Sequence, residues 1–277
     1  MISEKEKRLA TEERFHEEWA SGVDVTMIDV SGMNEALTAP EMRYITALLA
    51  DIRGKRLLDL GCGLGEAGVY FGLKGAEVTV ADLSESMIEV ASRLATSCGV
   101  SVGTLKVAAE SLQLLDEQKF DVVYAGNLFH HVDIAATLPG VCKVLKPDGI
   151  LVSWDPVAYN PLINIYRRIA SEVRTPDEHP LTLSDIKLFK KHFRHVETRY
   201  FWLTTLVIFI VMAAFQFRNP NKERYWKKVV EEADRWAPLY RPLELIDKFL
   251  LKVFPFLGLL CWNVVIHASG PIDPDQL

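Results

Sequence analysis

Three glycines at alternate positions follow an apolar segment that carries one acid, Arg56-Leu-Leu-Asp-Leu-Gly-Cys-Gly-Leu-Gly-Glu66. Gly61, Gly63 and Gly65 permit a turn that side chains would block, and they let the backbone press against a ligand. A turn of this kind between a strand and a helix is the binding end of an open α/β sheet. A dinucleotide fingerprint needs its third glycine five residues after the first, where this chain has Glu66, so a nicotinamide dehydrogenase is disfavoured. Asp82 follows the first glycine by about 20 residues, where a carboxylate can accept both hydroxyls of a ribose. A third group, Ala125-Gly-Asn-Leu-Phe-His-His-Val132, closes another expected strand. His130 or His131 could act there as a general base, or could cap or pack the next helix.

These residues meet only if alternating elements bring them to one sheet edge. The pattern predicts strands near 56–60, 77–82, 102–108, 119–125 and 149–155, with helices near 65–74, 84–97 and 133–146. Units of this size imply an α/β fold, a parallel sheet with helices on both faces. Lys146-Pro-Asp-Gly149 is a turn signal expected to start the fifth strand. Asn160-Pro161 should open a helix, and residues 157–192 read as mostly helical. Residues 3–20 form a charged helix that turns amphipathic at Phe15, His16 and Trp19, and Pro40 suits the first turn of another.

Asp59-x-Gly61-x-Gly63-x-Gly65 resembles the first motif of the class I S-adenosylmethionine (SAM)-dependent methyltransferases. The likeness continues from about Phe15 to Asp155 and is to the small-molecule, ubiquinone/menaquinone-type branch. It implies a Rossmann-like, seven-stranded, mostly parallel sheet and SAM as cofactor. Asp59, Gly61, Gly63 and Gly65 would then hold the methionine end, Asp82 the ribose, and Met87 would border the adenine unless it only packs. Arg14-Phe-His-Glu-Glu-Trp-Ala20 resembles the family's lid helix, which implies that Phe15 and Trp19 cover the cofactor. The family carries an acid where this chain has Ala108, so adenine contact would fall to backbone groups or to Glu110. Asn127 would contact the methionine moiety, and His130, His131 and Asp155 are the catalytic candidates, with Tyr166 and His179 as further ones. Arg167, Arg168 and Arg174 could bind an anionic head group or simply be solvated.

In that fold Phe193 to Tyr200 and Leu259 to Ala268 are expected as an antiparallel edge pair, yet roughly 55 residues separate them, far more than a hairpin loop holds. From Tyr200 to Phe217 no residue is charged, a run short of the about 20 that span a bilayer, so a transmembrane helix is not expected. Lys222 to Trp236 is amphipathic, and a further helix should follow Pro242 and end before Pro255, with Leu243, Ile246, Leu250 and Val253 as its apolar stripe. The insertion reads as a lid packed on the sheet edge, as an oily acceptor pocket, or as a membrane-surface contact. The expected organisation is lid helices over 1–55, a SAM-binding core over 56–200, the apolar helical insertion over 201–257, and a last strand and tail over 258–277.

At 277 residues and 49% hydrophobic content the chain can bury a sizeable core. A net charge of −6 argues against general affinity for nucleic acid. Cys62, Cys98, Cys142 and Cys261 lack paired ligand spacing, which fits a reducing cytoplasm and no structural metal. The polar start has no signal-peptide core, so secretion is not expected. The functional expectation is methyl transfer to a lipophilic small molecule, with membrane association as an option. The alternatives are a soluble acceptor or a non-catalytic SAM-binding scaffold.

Overall fold

The computed structural model describes residues 4–114, 120–170 and 178–274, without the side chains of residues 4–7 and 15. Helices α1 (Glu4–Ala20), α2 (Val30–Glu35) and α3 (Pro40–Leu48) precede the alternating core. That core runs β1 (Arg56–Leu60), α4 (Glu66–Leu73), β2 (Glu77–Asp82), α5 (Glu85–Ser97), β3 (Val102–Lys106), β4 (Phe120–Gly126), α6 (Ile134–Val144) and β5 (Leu145–Pro156). Then come α7 (Pro161–Ile169), α8 (Leu183–His192), β6 (Phe193–Phe201), α9 (Val207–Ile210), α10 (Tyr225–Glu231), α11 (Ala233–Val253) and β7 (Asn263–Pro271).

The seven strands lie in the order β3-β2-β1-β4-β5-β7-β6, with β7 antiparallel to both neighbours. The chain reverses its direction of growth between β1 and β4, so their carboxyl ends open a crevice. Central strands buried on both faces read as unbroken apolar runs. Leu57, Val122, Tyr124 and Val152 pack on one face with α3, α4 and α5, whereas Leu58, Leu60, Val123 and Leu151 pack on the other with residues of α6 and α8. Successive residues of a strand thus serve opposite layers. The helices start where local chemistry dictates: Ser84, Asp133, Asn160 and Thr182 each accept a backbone N–H of the first turn.

Three expectations are corrected. Lys146-Pro-Asp-Gly149 does not start a strand: β5 begins at Leu145, and the pairing jumps from Phe120↔Leu145 to Val122↔Ile150, so the segment is a bulge inside the strand. The last strand begins at Asn263, because Pro255–Leu260 winds as a 3-10 turn and Asn263 is the residue that pairs with Phe201. The final helix does not wait for Pro242. The α11 helix begins at Ala233 and runs through Pro238 and Pro242, which both face solvent, while Trp236, Tyr240 and Asp247 turn inward.

Between β6 and β7 the apolar run breaks into a 3-10 turn, α9 and a π-helical turn over Val211–Phe215. Trp202, Leu206, Ile208, Phe209, Met212, Tyr225, Val229, Trp236 and Tyr240 bury together as a separate cluster. Asp247 ties α11 to this cluster by accepting the backbone N–H groups of Leu203, Thr204 and Thr205 and the hydroxyls of both threonines. No helix of the described residues is long and apolar enough to cross a membrane.

A candidate cofactor and acceptor site

The crevice deepens into a cavity of about 380 Å³. Its first wall is the turn after β1. Gly61, Gly63 and Gly65 all adopt positive φ, at +70°, +52° and +82°. A side chain at Gly65 would strike Ala91 of α5 at 2.5 Å, while one at Gly63 would meet no atom within 4 Å. The first of these glycines is needed for helix packing, and the other leaves open backbone beside the cavity. Asp59, buried in β1, accepts the Gly68 N–H at 2.9 Å and lines the same wall. Burial, and then the charges of Asp82 and Glu66, push its carboxyl up to about 7.

Asp82 ends β2 and holds the glycine turn, accepting the N–H of Gly63 at 3.0 Å and that of Ser84 at 2.9 Å. His16 of α1 brings its Nδ1 to 3.9 Å from the Asp82 carboxylate. Glu110 is 1% exposed on the cavity wall; its Oε1 accepts the Arg8 guanidinium and the Asp133 N–H. Its Oε2 has no hydrogen bond among the described residues and remains as an acceptor.

At the ends of β4 and β5, Asn127 takes a left-handed φ of +56°, tolerated by asparagine, and donates its N–H to Trp154 O at 2.8 Å. The Nδ1 of His130 is 2.9 Å from Asp155 Oδ1, and His131 Nδ1 is 3.3 Å from Glu12 Oε1. Burial pushes the Asp155 carboxyl well up. Glu178 brings a third group: ligand-capable atoms of His130, His131 and Glu178 lie within 4.8 Å of one another.

The remaining wall is aromatic. Tyr124, Trp154, Tyr166, Trp202, Trp226 and Trp262 line it with Val230, Glu41 and Asn263. Trp154 Nε1 donates to Tyr124 Oη at 2.9 Å, and Asn263 Nδ2 donates to Glu41 Oε1 at 2.7 Å. Arg224 stacks at 4.2 Å over the ring of Trp19. Residues from α1 and from the segment after β6 therefore meet over the cavity.

Of the residues singled out from the sequence, Trp19, Asp59, Gly61, Gly63, Asp82, Glu110, Asn127, His130 and His131 line this one cavity. Gly65 stands behind the turn, and Met87 is buried in a small cluster with Ala20, Leu64 and Val90. Asp155 sits behind His130 and off the cavity wall. Tyr166 and Arg167 reach the cavity, and His179 instead donates its backbone N–H to His130 O at 2.7 Å. The Phe15 side chain and Arg174 lie outside the described residues. Arg8, Glu12, Glu41, Arg224 and Trp226 are site residues with no distinguishing signal in the sequence; each reaches the cavity from a distant segment.

Residues 58–153 match the family model described as the methyltransferase domain. Over that third of the chain the sequence is similar to methyltransferase domains. Among curated relatives it is 30% identical over 130 residues to the ubiquinone biosynthesis O-methyltransferase of Alkalilimnicola ehrlichii, covering 47% of this chain and 52% of that one. The chain spans about half the length of the curated relatives it matches. Two solved structures share the fold. YcgJ of Bacillus subtilis is 21% identical, with 83% of this chain and 97% of that chain covered and a TM-score of 0.51. Phosphoethanolamine N-methyltransferase 2 of Haemonchus contortus is 17% identical, with 83% and 53% covered and a TM-score of 0.53.

The donor set fits SAM. Gly63 leaves room for close approach to the turn, and the acceptor oxygens of Asp82 and the spare oxygen of Glu110 offer hydrogen-bond partners of the kinds a ribose and an adenine amino group require.

Proposed function

We propose that this chain binds SAM against the glycine turn and transfers its methyl group to an oxygen of a lipophilic small molecule, working in the cytoplasm against a membrane surface. The observation that carries the reading is the union of two unlike walls in one cavity. A polar wall of Asp59, Asp82 and Glu110 suits a nucleoside, and a wall of tryptophans and tyrosines suits an oily ring. The relatives named for ubiquinone biosynthesis support an oxygen acceptor on a lipophilic ring.

Bound SAM supplies an electrophilic methyl on a sulfonium, whose sulfur leaves neutral, so alignment of the acceptor matters more than acid–base help. A hydroxyl acceptor must still lose its proton. His130 lines the cavity, and Asp155 holds its ring by Nδ1, which makes Nε2 the basic nitrogen when Nδ1 carries the hydrogen. Asp155 is then a positioning residue. The aromatic wall keeps water away from the reacting oxygen.

Incubation with methyl-labelled SAM and a lipid extract should place label in an organic-soluble product. Asp155→Asn should lower kcat by on the order of 100-fold with little change in KM, and should shift the acid limb of the pH–rate profile. Label confined to water-soluble product would contradict the lipophilic acceptor, and an unaltered pH profile would make the Asp155–His130 contact merely structural.

A further inference from the structure

The stripe Leu243, Ile246, Leu250 and Val253 is not what α11 buries. Trp236, Tyr240 and Asp247 turn inward, and the opposite arc stands in solvent. On that arc Leu245 is 67% exposed, Phe249 63%, and Phe256 in the turn beyond the helix 69%, with Ile246, Val253 and Phe254 also exposed. Positions 245, 246, 249 and 253 follow helical spacing, so these side chains form one continuous ridge. The rings of Phe254 and Phe256 carry it onward, 6.1 Å apart. Clustered large apolar side chains in solvent mark a contact surface rather than ordinary surface scatter.

The charges beside the ridge say what it meets. Beyond the exposed Asp234 in its first turn, the exposed charged residues of α11 are all cations: Arg235, which pairs with Glu232, and then Arg241, Lys248 and Lys252. Of the two acids of that stretch, Asp247 lies under Thr204 and Thr205, and Glu244 lies between Arg43 and the exposed Lys248, whose Nζ is 3.0 Å from its Oε2. At 100° per residue Arg241, Lys248 and Lys252 fall together along one border of the ridge. An apolar ridge with a basic border on a net-negative chain complements an anionic interface. A second copy docked through the same face would set these cations against their own equivalents.

We propose that the outer face of α11 and the turn after it lie in the plane of an anionic lipid surface, with Leu245, Phe249 and Phe256 in the acyl boundary and Arg241, Lys248 and Lys252 against lipid phosphates. The inference deepens the lipophilic-acceptor reading by naming the surface and its chemistry, and the docking itself does not depend on the transfer step. Sedimentation of the full chain with phosphatidylcholine vesicles, with or without phosphatidylglycerol, tests it. Binding should be stronger to the anionic vesicles and should weaken as salt rises. The double variant Leu245→Glu/Phe249→Glu should bind at least about tenfold more weakly, since two buried apolar side chains are lost from the interface. Lys248→Glu/Lys252→Glu should lose the preference for phosphatidylglycerol.

Calorimetric SAM binding should be unchanged in both variants, because neither pair touches the cavity. Absence of wild-type binding to either vesicle would overturn the proposal. So would full binding by the Leu245→Glu/Phe249→Glu variant, or self-association in ultracentrifugation, abolished by that variant, without vesicle binding. Vesicle binding without SAM binding would leave the docking face standing and remove the transfer reading; SAM binding without vesicle binding would do the reverse.

Discussion

Asp59 links the cavity to pH. Its folded carboxyl is raised to about 7 by burial first and by the Asp82 and Glu66 charges next, above an unfolded value of about 3.9. Between those values the folded state holds a proton that the unfolded chain has released, so the contribution of Asp59 to stability falls as pH rises through that window. A cation bound beside Asp59 would favour its charged form and expel the proton. SAM affinity should therefore rise between about pH 6 and pH 8, with proton release seen by calorimetry in buffers of different ionisation enthalpy; a flat profile would contradict the placement of Asp59. His130, His131 and Glu178 make a second residue-scale test. Sulfonium chemistry needs no Lewis acid, so turnover should survive EDTA, and loss of turnover restored by a divalent ion would assign this trio to metal. Asp59, the glycines, Asp82, Asn127 and the histidines were legible because each belongs to a short run with its own backbone demand. Arg8 and Glu12 were not, because nothing local distinguishes two charges on a charged helix; only the fold brings them to Glu110 and His131.

The central strands were legible for a different reason. Burial on both faces forces unbroken apolar runs such as Leu57 to Leu60, with no polar residue except Asp59, which lines the cavity. The segment after β6 is less legible, since Pro242 reads as the start of a helix that in fact begins at Ala233 and carries Pro238 and Pro242 on its solvent side, although it does end before Pro255 as expected. The stripe Leu243, Ile246, Leu250 and Val253 is not the face that α11 buries, and the inward face carries a polar residue, Asp247, beside Trp236 and Tyr240. Asp247 satisfies three backbone N–H groups and two hydroxyls of residues 203–205. Asp247→Ala leaves those donors without their acceptor, at a cost on the order of 3 kcal/mol or more. Hydrogen exchange should show faster opening of residues 203–205 and α11 in this variant, while β1 and β4 remain protected. Equal protection throughout would mean that aromatic packing alone holds the element.

At the scale of the whole molecule, three distant segments close one site. The α1 helix reaches the floor through Arg8–Glu110, the segment after β6 reaches α1 through Arg224 over Trp19, and it reaches the core through Lys227, 3.7 Å from Glu66. The cavity is thus shared between the sheet edge and its coverings, and the outward ridge of α11 belongs to one of those coverings. The glycine turn and Asp82 are the proposed seat of SAM. Calorimetric titration of the full chain with SAM, beside Asp82→Asn, tests it most directly. The expected result, at a temperature where both proteins are folded, is one saturable site in the wild type and an affinity about tenfold or more lower in the variant, as loss of charge-assisted hydrogen bonds predicts. Absence of SAM binding by the wild type, or equal affinity in Asp82→Asn, would contradict it.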